Sequence, residues 1–169
     1  MELNYTFNKA LHTLQALTPA DRHRLASICR DIRQSEDSLN RAATKDMDKC
    51  MTACTGICCR NIRLTEIIGF CDFVYMLTVA GGMTGNITAC LKHESLFSSD
   101  CIFLKNGKGP CMLPSNARPR VCITSFCFDD TPVKRQIRDV NRRFSELSRF
   151  VFARRIKMMV PSWFRRQRR

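Results

Sequence analysis

The chain has 169 residues, 44% of them hydrophobic, eleven cysteines and a formal net charge of +13. That length and composition fit one soluble domain with its own core plus appendages. They argue against a membrane span: the best candidate, residues 67–83, is near the lower length limit, carries Asp72 inside it and closes on Gly81 and Gly82. An aspartate at mid-span costs about 2.5–3.5 kcal/mol on insertion scales.

The opening residues, MELNYTFNKALHTLQALTPAD, lack a basic segment followed by a continuous apolar run, so no secretory leader is expected and the predicted compartment is the cytoplasm. In a reducing cytosol a dense set of thiols points to metal or redox chemistry rather than a disulfide framework.

Residues 1–46 are predicted to be helical. Leu11, Leu14 and Leu17 recur every three residues, and Thr18-Pro19-Ala20-Asp21 supplies an N-cap with proline at the first helical position. The second helix then carries Leu25, Ile28, Cys29, Ile32 and Leu39 on an apolar stripe, with arginines on its other faces. Cys29 is expected to pack in the core.

Residues 47–131 form a cysteine-rich unit with ten of the eleven cysteines. One helix is predicted over residues 65–80, flanked by irregular, turn-rich segments containing NGKGP and PSNARP. Such loops are expected to add little core, and a structural metal would supply the missing stability. The predicted fold is therefore mainly α, a small helical domain with an irregular, cysteine-rich, metal-stabilised core.

From residue 132 helical periodicity returns: Val133, Ile137, Val140, Phe144, Leu147 and Val151 alternate steps of four and three, while Arg135, Arg138, Arg142 and Arg149 fall off the stripe. A break is expected at Pro161. Residues 132–169 hold thirteen Lys and Arg against Asp139 and Glu146, so the basicity belongs to this C-terminal segment. Two roles are open for it: docking its apolar stripe on the domain, or binding an anionic partner, nucleic acid or a membrane surface, with help from Phe144, Phe150, Phe152, Trp163 and Phe164.

Thiolate is a soft ligand that suits zinc or an iron–sulfur cluster, and a closed site wants four such donors. Cys50, Cys54 and Cys58 are each four residues apart in CMTACTGICC and would share a face if that segment is helical. The adjacent Cys58 and Cys59 point about 100° apart on a helix, so they are not expected to serve one ion equally.

CMTACTGICC, Cys101 in DCIFL, Cys111 in GPCML and ARPRVC ending at Cys122 together resemble the CxxCxxCC, or YkgJ-like, family of zinc- or iron-chelating proteins over about half the chain. The resemblance implies metal ligands at Cys50, Cys54, Cys58, Cys59, Cys101, Cys111 and Cys122, with Arg118 and Pro119 marking the last motif. Cys127 is added for its nearness to Cys122. The first two spacings are one residue wider than the family name implies, and Ile123 stands where the family often has arginine.

Cys71 and Cys90 fall outside the motif: Cys71 is expected to pack in the core, while Cys90 and the nearby His93 could add a mixed nitrogen and sulfur site, with a structural role the favoured reading. Arg60, Arg63, Arg118 and Arg120 lie next to motif cysteines; they could offset thiolate charge or be solvated surface groups.

The family also resembles flagellin lysine N-methylases in this motif, which makes a redox or protein-lysine methyl-transfer enzyme the competing reading. Against it, AGGMTGN follows a predicted helix rather than a strand, and HExxH, Walker A and GxSxG patterns are absent. No local motif pairs a thiolate with His12, His23 or His93.

Overall fold

The computed structural model describes residues 2–44, 59–60, 62–92, 100–107, 110–126 and 129–159. Among these the structure is mainly α, with seven α-helices and no strand longer than a single bridge. Cys50, Cys54, Cys58, His93, Cys127 and the Pro161 break lie outside the described residues.

Helix α1 (Glu2–Ala16) buries Leu3, Phe7 and Ala10. Leu17 is buried just beyond it, while Leu11 and Leu14 pack only at its margin, so the inward stripe is set further toward the N-terminus than the leucine spacing suggests.

Helix α2 (Pro19–Ala42) starts where the capping residues place it. The Thr18 hydroxyl accepts a hydrogen bond from the Asp21 N–H at 3.2 Å, and proline occupies the first turn. All five stripe residues of α2 are buried, Cys29 among them at 1% exposure.

The single helix expected over residues 65–80 is two helices, α3 (Leu64–Ile67) and α4 (Phe70–Val79). Gly69 interrupts it: its N–H donates to the Asp72 carboxylate at 2.9 Å, an N-terminal cap that restarts the helix. Five consecutive residues of α4, Phe73 to Leu77, are buried. A helix apolar on all sides belongs at the centre of a core, and α4 packs against α1, α2 and the C-terminal helix.

A turn at Gly81–Met83 leads into α5 (Thr84–Lys92), which sequence periodicity did not suggest and which buries only Ile87 and Leu91. No single helix among the described residues is long and apolar enough to cross a membrane; α4 and the segment after it are bent from one another by 109°.

The segments around NGKGP and PSNARP contribute more core than their composition suggests. Leu104 and Cys111 form an antiparallel bridge, flanked by hydrogen bonds from the Lys105 N–H to the Pro110 carbonyl and from the Met112 N–H to the Phe103 carbonyl. Asn106 turns the chain with φ 55°, a left-handed conformation that asparagine tolerates. This hairpin drives Phe103, Leu104 and Leu113 into the core.

Helix α6 (Arg120–Thr124) is a short turn that packs on α7 (Lys134–Met159). Helix α7 docks its stripe on the domain: Val133, Val140, Phe144, Leu147 and Val151 are buried, with Ile137 at the margin. It runs antiparallel to α2, as the pairs Asp21–Arg154, Asp31–Arg143 and Ser35–Asp139 show.

Candidate metal centre

Four of the eight candidate ligand cysteines lie in the described residues, and the fold draws them to one region. The Cys101 N–H donates to the Cys59 carbonyl at 2.8 Å, which joins two thiol-bearing positions far apart in the chain. The hairpin that begins after Cys101 returns at Cys111. Cys122, on α6, lies within electrostatic reach of both the Cys111 and Cys59 thiols.

Cys101 is buried, Cys59 and Cys111 are half-buried, and Cys122 as a whole residue is exposed. Even so, protein atoms crowd the Cys122 sulfur. That desolvation is the main reason its thiol is pushed up to about 12, with the neighbouring Cys111 and Cys59 thiols acting in the same direction. Such a group stays protonated at neutral pH unless a cation joins it, and a coordinating metal inverts that preference.

The Arg118 side chain is buried, 6% exposed, and its Nε–H reaches the Leu113 carbonyl at 3.5 Å. Its charge favours the thiolate of Cys122. Of the four arginines beside the motif cysteines, Arg118 alone is withdrawn from solvent; Arg60, Arg63 and Arg120 are exposed. Arg63 pairs with Glu66 at 3.4 Å, and Arg120 donates to the Asn141 side chain at 2.9 Å.

Asp72 ties this region to the core. One carboxylate oxygen accepts the Gly69 N–H that starts α4, and the other accepts the Arg120 N–H at 2.7 Å, at the start of the turn that carries Cys122. Burial raises the Asp72 pKa, and the two backbone N–H groups pull it back. Asp72 thus links the start of α4 to the start of α6; its spacing of three from Gly69 was a readable capping signal, but its reach to Arg120, forty-eight residues on, was not. Replacing Asp72 with alanine leaves both backbone donors without that acceptor. A loss of about 1–2 kcal/mol in urea unfolding is the expected result.

Cys29 and Cys71 stand apart from the motif cysteines. Cys29 belongs to the core, where burial above all pushes its thiol up to about 12. Cys71 is half-buried on α4 beside Ser148, and its pKa is raised chiefly by burial. Cys90 is half-buried at the core margin.

Among the described residues no group of three or more His, Cys, Asp or Glu side chains is arranged to hold a metal ion. Cys59, Cys101, Cys111 and Cys122 share a neighbourhood there without closing a coordination sphere. In kind they suit zinc or an iron–sulfur cluster, being sulfur donors with a buried arginine alongside. No family model, no curated protein and no solved structure matches the chain.

Proposed function

We propose that this protein binds zinc or an iron–sulfur cluster through motif cysteines, in the manner of the YkgJ-like family it resembles. The observation that carries the reading is the backbone hydrogen bond that joins Cys101 to Cys59, supported by the pairing of Cys111 with Leu104, three residues beyond Cys101, and by the electrostatic reach of Cys122 to Cys59 and Cys111. Three separate segments thus bring sulfur donors into one neighbourhood. Cys50, Cys54, Cys58 and Cys127 are the remaining proposed ligands, and Arg118 would offset part of the thiolate charge.

Bound zinc would cross-link the hairpin, α6 and the Cys59 segment, and its binding free energy would be folding free energy. A bound iron–sulfur cluster would add one-electron chemistry.

The test is anaerobic purification followed by measurement of zinc, iron and acid-labile sulfide per chain, for the natural protein and for Cys101→Ser, Cys122→Ser and Cys90→Ser. Near-stoichiometric metal that falls severalfold in the first two variants and holds in the third is expected. A metal-free folded protein, or full metal retention in both motif variants, would reject the reading. Iron with sulfide and a broad visible band would direct attention to redox chemistry; colourless zinc would make the centre structural.

A further inference from the structure

Helix α7 carries nine Lys and Arg between residues 134 and 157, against Asp139 and Glu146. Four of the arginines form a single outer stripe. At 3.6 residues per turn, Arg135, Arg138, Arg142 and Arg149 fall within an arc of roughly 60°, over about 21 Å of helix. That arc lies opposite the buried residues Val140, Phe144, Leu147 and Val151, and all four arginines are exposed.

Neighbouring carboxylates leave most of this charge uncompensated. Arg142 pairs with Asp139 and Glu146, whereas Arg135, Arg138 and Arg149 have no ion-pair partner among the described residues. At its N-terminal end the stripe borders a recess of about 560 Å³ between α2 and α7, lined in part by Ser35, Ser38, Arg135, Arg138, Asp139 and Arg142. The Asp139 carboxylate there is already engaged by the Ser35 hydroxyl and Arg142, so guanidinium donors are left facing an open polar hollow.

We infer that this outer face of α7 binds the phosphodiester backbone of nucleic acid without reading its sequence. Guanidinium groups along one line suit a chain of phosphates, and each phosphate neutralised releases counterions. Near the far end of the stripe Phe152 is 66% exposed, where an aromatic ring can stack on a base. A membrane surface fits less well. An interfacial helix needs its apolar face free to enter the lipid, and the apolar face of α7 is already packed into the core.

The test is fluorescence anisotropy with a labelled 20-nucleotide single strand and its duplex over a salt series. Three proteins are compared: the natural chain, the stripe variant Arg135→Gln/Arg138→Gln/Arg149→Gln, and a charge-matched control, Lys9→Gln/Lys92→Gln/Lys105→Gln, each checked for fold by circular dichroism. None of the stripe positions replaced makes a described ion pair, so a fold change is not expected. The natural chain should bind with log K falling linearly in log salt, and the stripe variant should bind roughly tenfold or more weakly, with a slope shallower by about 2–3. The control should stay close to the natural chain.

Equal losses in the stripe and control variants would overturn the inference in favour of bulk charge. Unchanged binding by the stripe variant would overturn it in favour of another segment. Binding to phosphatidylserine vesicles with none to either oligonucleotide would overturn it in favour of a membrane.

Discussion

Glu36→Gln is expected to remove most of the pH dependence of stability between about pH 4.5 and about pH 8. Glu36 lies on α2 at 1% exposure, and its Oε2 accepts the Tyr75 hydroxyl at 2.8 Å from α4. Tyr75 has the Asn116 carbonyl as its other partner, at 3.3 Å. The second Glu36 oxygen is buried with no hydrogen-bond partner. Burial above all pushes the Glu36 carboxyl up to about 8, and the Tyr75 hydroxyl opposes that by favouring the charged form.

The sign follows from proton counts. Between the ordinary value of 4.5 and about 8 the folded protein holds a proton on Glu36 that the unfolded chain releases. Stability from this group is therefore complete below about 4.5 and is lost as pH rises toward 8, at up to about 1.4 kcal/mol per pH unit. Glutamine keeps the shape of the protonated acid and cannot ionise. Urea unfolding at pH 5, 6, 7 and 8 should show the natural protein losing stability across the series while Glu36→Gln varies much less. Parallel curves for the two proteins would mean that Glu36 does not titrate in this window.

Phe73→Ala is expected to cost about 3–5 kcal/mol, the range for deleting a fully buried aromatic side chain. Phe73 is at 0% exposure on α4 and meets the Phe7 ring of α1 edge-on, with centroids 5.4 Å apart and planes at 75°. Beyond lost burial, the substitution removes this edge-to-face pair and leaves a void where α1 and α4 cross. A domain of this size has about 5–15 kcal/mol of stability in total, so a large drop in midpoint denaturant concentration should follow. Phe152→Ala on the exposed side of α7 is the contrasting case: with 66% of its surface already in water, it should shift stability by no more than about 0.5 kcal/mol.

These two sites differ in how visible they are before the fold is known. Phe73 sits in FCDFVYML, whose continuous apolar character announces a buried helix. Glu36 occupies an ordinary position in a charged helix, RQSEDSLNR, and nothing near it in the chain signals burial. Its environment comes from Tyr75, thirty-nine residues away, and from the packing of α4 on α2.

Short-range chemistry was legible from residue types alone. Thr18 and Pro19 set the start of α2 because capping is a local hydrogen bond, and the stripe from Val133 to Val151 set the docked face of α7 because helical period is local geometry. The same reasoning passed over Gly69, where the Asp72 cap splits one expected helix into two. It also undervalued the irregular segments, since Phe103 and Leu113 gain their burial from a hairpin rather than from any helical or strand period.

Residue order was thus enough for helical class, for the start of α2, for the buried faces of α2 and α7, and for the concentration of thiols in the middle of the chain. Bringing Cys59 to Cys101, fastening α6 to α4 through Asp72, hiding Arg118 and sealing Glu36 beneath Tyr75 required the assembled fold. Each of those contacts joins residues separated by long stretches of chain or depends on burial by distant elements, and neither distance nor solvent exclusion is encoded in local period or spacing.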